Sequence, residues 1–302
     1  MTKNRATTPA TVKTASTYQD NTMKAGMIGL GAMGLGMARN LAEAGYLTAV
    51  YNRTAAKTAE FKATAYPSPE ALAAAVDIVL ICVSADLDVL SVVEAIAKTV
   101  KPGTIVVDMS TVSSATAQKA AAILAEKQAD FLDAPVSGGV EGAKNGTLAM
   151  MVGGEAQILE KARPVLEAMT SRILHIGATG AGQATKAVNQ IMGAGINQAV
   201  TEALAFAQAQ GLAMDKVIEV ISGGASGNWF LQHRGATMTK GVFAPGFKLA
   251  LHHKDLKICQ AMAAQTGTPL PITDKTVTDY EQLMAENYGD EDISALYRLK
   301  RM

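Results

Sequence analysis

The chain has 302 residues, of which 49% are hydrophobic and 18% charged. That composition is too apolar for a disordered polymer, and the length suits two domains of ordinary size. The 27 basic and 27 acidic side chains cancel, so no global field points to nucleic acid or an anionic membrane. No run reaches the roughly 18 apolar residues that a membrane span needs.

Residues 1–22 are rich in Thr, Ala and Ser, and their first acid is Asp20. They read as a disordered tail upstream of an alternative start near Met23, rather than as a transit peptide, since no Arg-rich amphipathic stretch or apolar h-region is visible. Next, a short apolar run (Met27, Ile28) feeds Gly29-x-Gly31-x-x-Gly34, and an apolar-periodic stretch through Met37 and Leu41 follows, ending at Gly45. This is the strand, glycine turn and helix of a dinucleotide site. Gly29 permits the turn, Gly31 lets backbone approach a pyrophosphate, and Gly34 lets helix pack on strand. The amides of Ala32 and Met33 complete the positive helix end.

The following runs alternate. Leu47–Tyr51, Ile78–Val83, Thr104–Asp108 and Phe131–Ala134 read as strands, and Leu148–Val152 and Arg172–Ile176 extend the set. Helical stretches lie between them, including one opened by Ser68-Pro69-Glu70 (cap, then proline at the first helical position) and one over Asp86–Lys98. Alternation of this kind predicts an α/β fold with a Rossmann-type doubly wound, mostly parallel sheet. Past Gly177–Gly182 only helices are expected. A long one, about 40 Å over Gln183–Gln210, precedes others near Asp215–Ile221, His253–Thr266, Ile272–Glu286 and Ile293–Leu299. The expected division is 1–22 tail, 23–182 dinucleotide-binding domain and 183–302 all-helical C-terminal domain for substrate and oligomerisation.

Four strand exits carry candidate chemistry. The second strand ends in Asn52-Arg53-Thr54, where an NAD enzyme usually has an acid about 20 residues past the glycines to hold the ribose hydroxyls. Neutral Asn52 repels no 2′-phosphate, the Arg53 fork can pair with one, and Thr54 opens the next helix, so NADPH is expected in preference to NADH. Val83, Ser84 and Thr111 leave two further strands on the same side and are expected at the cofactor. Asp133-Ala-Pro-Val-Ser137-Gly138-Gly139 makes an irregular turn with free amides and a hydroxyl, suited to a carboxylate or other small anion.

On the long helix, Asn189, Gln190, Gly193, Asn197 and Thr201 fall within about 60° of Lys186 around the axis. One charge among amides reads as a cleft wall; a solvated face would carry several. Trp229 and Phe230 read equally as pocket lining, core or subunit contact. Cys82 and Cys259 sit far apart in apolar runs and read as reduced core residues of a cytoplasmic protein. The sequence shows no metal-ligand spacing, and no metal is expected.

Four segments, GLGAMGLGMARN from Gly29, DAPVSGG from Asp133, GAGQATKAVN from Gly180 and His253-Lys254-Asp255-Leu256, make the chain resemble the β-hydroxyacid dehydrogenases. These include 3-hydroxyisobutyrate dehydrogenase, tartronate semialdehyde reductase and glyoxylate/succinic semialdehyde reductases. The resemblance spans Met23 to near Leu299. It implies a catalytic lysine at Lys186, carboxylate binding at Ser137, Gly138 and Gly139, substrate contact by Asn189 or Gln190, and a cofactor-proximal lysine at Lys254. It also implies a homodimer or homotetramer acting on a small anionic substrate. Imine reductases share the architecture but typically lack the lysine, and a non-catalytic NADP-binding regulator would not need Lys186 and Ser137.

Overall fold

A computed structural model describes residues 23–301; the expected tail over 1–22 lies outside the described residues. The first half alternates. β1 (Ala25–Ile28), α1 (Ala32–Glu43), β2 (Leu47–Tyr51), β3 (Thr64–Ala65), α2 (Pro69–Ala73), β4 (Ile78–Ile81), α3 (Asp86–Ile96), β5 (Ile105–Asp108), α4 (Ser114–Ala125) and β6 (Asp130–Asp133) come in that order. Then follow β7 (Val136–Ser137), α5 (Gly139–Asn145), β8 (Leu148–Gly153), α6 (Ala156–Leu166) and β9 (Thr170–Gly177). The strands form one sheet in the order β3-β2-β1-β4-β5-β6-β8-β7, with β9 paired to β8.

From β3 through β6 every pairing is parallel, whereas β8 runs antiparallel to β6 and β7. Side-chain alternation along a strand divides the core between the two faces. Met27, Ile78, Leu80, Val107 and Leu132 bury against α1, α5 and α6, while Ile28, Val79, Ile81, Val106 and Phe131 bury against α2, α3 and α4. The α2 cap forms as its sequence requires, with Ser68 Oγ accepting from the Ala71 amide at 3.3 Å ahead of Pro69.

The remainder is helical: α7 (Ala181–Ala209), α8 (Met214–Ser222), α9 (Trp229–Met238), α10 (Leu249–Thr266), α11 (Pro271–Ala285) and a 3-10 stretch, Ile293–Lys300. Its own core gathers Leu204, Phe230, Leu231, Leu256, Tyr280 and Leu296. A Rossmann-type dinucleotide-binding domain is therefore followed by a helical one.

Several details differ from the sequence expectation. β4 stops at Ile81; the Cys82 amide still bonds Ile28 O at 2.9 Å, but the Val83 amide leaves the ladder for Ser110 Oγ. α7 starts two residues earlier than predicted, since Gly180 takes a left-handed φ of 95° that turns the chain into the helix. The last expected helix is 3-10, and α9 had no prediction. Its signal is an Asn228 cap whose Oδ1 accepts from Leu231 N at 2.9 Å.

Candidate active site

β1 and β4 are neighbours in the sheet with connections leaving in opposite senses, and open α/β sheets bind ligands at that switch point. Gly29 has φ +97° there, and a Cβ on it would overlap the Cys82 carbonyl; a Cβ on Gly34 would overlap the Gly29 carbonyl. Gly31 is different, because a Cβ there would meet nothing within 4 Å. No side chain caps α1, so the amides of Ala32 and Met33 are left for an external acceptor, while the Gly34 amide turns to the Cys82 thiol. An open glycine beneath an uncapped helix end fits a dinucleotide pyrophosphate.

Asn52 braces this loop: its Oδ1 accepts from Leu30 N at 2.8 Å and its Nδ2 donates to Thr54 O at 3.0 Å. The Arg53 side chain is 89% exposed, with Asp88 Oδ1 3.7 Å away. Thr54 is exposed and precedes a 3-10 turn, Ala55–Thr58. Val83 N donates to Ser110 Oγ at 2.9 Å, beside exposed Ser84. Lys254 reaches across from α10 and donates to Thr111 O at 2.8 Å.

Lys186 projects from the second turn of α7 and is 8% exposed. Its Nζ donates to Val136 O at 2.9 Å, next to Ser137. Burial holds its ammonium below the ordinary lysine range; the Asp255 carboxylate opposes that shift and the Lys254 charge adds to it. Beside it runs a hydrogen-bonded series. Asn189 Nδ2 donates to Gln190 Oε1 at 2.9 Å, Gln190 Nε2 donates to Asp255 Oδ2 at 2.6 Å, and Asp255 Oδ1 pairs with Lys254 Nζ at 2.8 Å.

The Ser137 hydroxyl is half-buried and has no hydrogen-bond partner among the described residues. Gly138 and Gly139 follow with φ of +135° and +64°, conformations that glycine adopts without strain. Against this turn lies a loop of the helical domain, for a Cβ on Gly139 would sit 3.6 Å from Gly246 O. That loop is held from behind by Asp292, whose Oδ2 accepts from the Gly246 and Phe247 amides at 2.9 and 3.1 Å.

Asp133, at the exit of β6, anchors α7 by accepting from Gly180 N at 2.7 Å and Gln183 N at 2.9 Å. Its carboxyl is still pushed upward by burial, which outweighs those bonds. Asp108 beside it on β5 is pushed up to about 6, chiefly by burial and further by the Asp133 charge. Asp133, Gln183 and Asp255 were not among the predicted site residues, although each lies inside a segment that carried the resemblance.

The polar stripe on α7 divides. Lys186, Asn189 and Gln190 meet Val136 and Asp255, but Asn197 and Thr201 line no cleft. Asn197 Nδ2 donates to Tyr280 OH and Ile293 O at 2.9 and 2.8 Å, and Thr201 bonds back to Asn197 O at 2.7 Å. Both are fully buried and tie α7 to its own domain; a 3.6-residue period alone does not tell a cleft wall from an interhelical seam. The aromatic pair also separates, with Phe230 in the helical core and Trp229 57% exposed and stacked on His233. Among the described residues no helix is long and apolar enough to cross a membrane, and no three His, Cys, Asp or Glu side chains gather as metal ligands.

A family model described as the NAD binding domain of 6-phosphogluconate dehydrogenase matches residues 24–177. A second, described as the NAD-binding of NADP-dependent 3-hydroxyisobutyrate dehydrogenase, matches 180–300. The chain is 37% identical to 2-(hydroxymethyl)glutarate dehydrogenase of Eubacterium barkeri, over 93% of this chain and 95% of that one. It is also 37% identical to 2-hydroxy-3-oxopropionate reductase of Escherichia coli K12, over 91% and 96%. The solved structure of Mycobacterium tuberculosis 3-hydroxyisobutyrate dehydrogenase with L-serine superposes with a TM-score of 0.85 at 33% identity, covering 93% of this chain and 99% of that one.

Proposed function

The chain belongs to the β-hydroxyacid dehydrogenase family of NAD(P)-dependent oxidoreductases, and from that membership we propose that it is an NADPH-preferring reductase of small aldehydes bearing a carboxylate, reversible toward the 3-hydroxy acid. One observation carries the reading: a buried lysine fixed 2.9 Å from the carbonyl that precedes the Ser137-Gly138-Gly139 turn. An anion held by that turn keeps a carbonyl within reach of a single ammonium.

A nicotinamide, when bound, supplies or accepts the hydride. The Lys186 ammonium gives its proton to the carbonyl oxygen as negative charge develops there, and its own charge stabilises that oxygen. In the alcohol direction the neutral amine takes the proton back, which burial and Lys254 make accessible. Ser137 and the Gly138 and Gly139 amides hold the carboxylate. The named substrates of the E. coli and E. barkeri relatives both place the reacting carbon two bonds from a carboxylate, which supports aldehydes of that spacing over longer ones. NADPH preference is supported by exposed Arg53 and by the absence of an acid at Asn52.

The test is a panel of glyoxylate, tartronate semialdehyde, methylmalonate semialdehyde and succinic semialdehyde, each with NADPH and NADH, in wild type and in Asn52→Asp with Arg53→Ala. Aspartate at 52 keeps the acceptor that Leu30 N uses and gives up the bond to Thr54 O. The expected result is NADPH preference in wild type and its loss in the double variant. A wild type that favours NADH, or one that reduces none of the acids, overturns the reading.

A further inference from the structure

Gln183 joins three parts of the cleft. It is 1% exposed and lies one turn before Lys186 on the same side of α7. Its backbone amide donates to Asp133 Oδ2 at 2.9 Å, on β6. Its side-chain Nε2 donates to Ser110 O at 2.8 Å, and its Oε1 accepts from Val112 N at 3.2 Å, both in the loop after β5. Ser110 extends the series, because its Oγ accepts from Val83 N at 2.9 Å in the loop after β4, and its own amide donates to Asp108 Oδ1 at 3.0 Å. Thr111, between Ser110 and Val112, accepts from Lys254. Hydrogen bonds therefore run unbroken from the Val83 exit, on the dinucleotide side, to the first turn of α7, one turn before Lys186.

Only a side chain that donates and accepts at once can span Ser110 O and Val112 N. Truncating it leaves two buried backbone groups unpaired. The helix would still be anchored by the Gly180 and Gln183 amides on Asp133, which do not depend on the side chain. Such a variant keeps the fold and loses the lateral register of the first turn.

We propose that Gln183 is a positioning residue: its amide ties the first turn of α7 to the Ser110–Val112 loop and so sets where the Lys186 ammonium stands relative to the cofactor side of the cleft. This rests on the reading of Lys186 as proton donor. The consequence is kinetic, since misplacement of a reacting group by about 1 Å can cost on the order of 10²-fold in rate.

The test uses the full chain with Gln183→Ala and Gln183→Glu. A protonated glutamate has the shape of glutamine, with an O–H to give to Ser110 O and a carbonyl to accept from Val112 N. The carboxylate form cannot donate, and the charged groups around it are Asp133 from β6, Asp108 from β5 through Ser110 N, Lys254 from α10 on Thr111 O and Lys186 on its own helix. For Gln183→Ala we expect kcat down about 10-fold or more at every pH, with NADPH Kd by fluorescence within about twofold of wild type. For Gln183→Glu, the ratio of its kcat to that of wild type should match the alanine variant near pH 9 and recover as pH falls toward 6. A part that merely filled space would show no such acid recovery. A kcat within about twofold of wild type for Gln183→Ala, or a flat ratio for Gln183→Glu, overturns the proposal. Should wild type reduce no aldehyde, the proposed function fails separately, and hydrogen exchange decides this one. Amides in the first two turns of α7 should exchange faster than wild type in Gln183→Ala, with the same acid recovery in Gln183→Glu. Unchanged exchange in both overturns it.

Discussion

Lys186 donates to the carbonyl of Val136 at 2.9 Å, so the lysine is bonded to the residue that immediately precedes Ser137. Replacing it with alanine should lower kcat for aldehyde reduction by about 10²- to 10⁴-fold, the range for a lost general acid. Arginine should rescue little, because a guanidinium does not give up its proton at working pH. NADPH affinity, read by fluorescence titration, should stay within about twofold in both. An alanine variant that keeps half its turnover would remove Lys186 from the chemistry.

Asp255 tunes that lysine. Its carboxylate raises the Lys186 pKa against the stronger downward pull of burial. Asp255→Asn removes the charge while keeping an oxygen for Gln190 Nε2, so the Lys186 pKa should fall further. Reduction needs the protonated amine and is lost as pH rises through that pKa; oxidation needs the neutral amine and appears there. Both limbs should therefore move to lower pH in the variant. Rate profiles in the two directions check this, and limbs that stay in place or move upward contradict it.

Ser137→Ala should raise KM for carboxylate substrates more than it lowers kcat, since an anion contact acts in the ground state as well as the transition state. The Gly138 and Gly139 amides remain, so the loss should be roughly 1–3 kcal/mol. An uncharged aldehyde of equal size serves as control. If it suffers as much as the acid, the turn does not read the carboxylate.

His252 is fully enclosed between Tyr280 OH and Gln190 O, and burial lowers its pKa to about 4. Between about 6.5 and that value the unfolded chain binds the extra proton and the folded chain does not. Stability contributed by the neutral ring is thus intact above about pH 6.5 and declines as pH falls toward 4. Asp108 titrates in the opposite sense over part of this window, so the useful quantity is the difference between wild type and His252→Gln. That gap in unfolding free energy should narrow on acidification by at most about 3 kcal/mol. Denaturant titrations at several pH values measure it, and a constant gap would show that the ring takes up its proton at the same pH folded and unfolded.

The Rossmann order was readable because short apolar runs and turn residues alternate, and β2 falls on the predicted Leu47–Tyr51. β3 and β7 were not read, since two-residue strands leave no period to detect. In the cleft, Lys186 and the Ser137 turn stand out by composition: one charge among amides, and paired glycines after a strand. Asp133 and Asp255 carry no periodic signature of their own. Each acts on a group many residues away, 47 to 50 along the chain for Asp133 to Gly180 and Gln183, and 65 for Asp255 to Gln190. Only the packed chain discloses those pairings. Asn197 shows the converse, a polar residue in phase with Lys186 whose partners, Tyr280 and Ile293, belong to the helical core.

A Cβ on Gly36 of α1 would lie 2.9 Å from the carbonyl carbon of Ala143 on α5, and Asn40 of α1 donates to Ala143 O at 2.6 Å. The helix behind the glycine loop and the helix that leaves Gly138 therefore abut backbone to backbone. Contact of that kind leaves no soft side chain to absorb a shift. On the proposed reading, coenzyme preference and acid preference are consequently not separate modules to be exchanged at will. A chimera that imports β1 and α1 from a relative must import α5 with them, or the carboxylate turn will inherit the misfit.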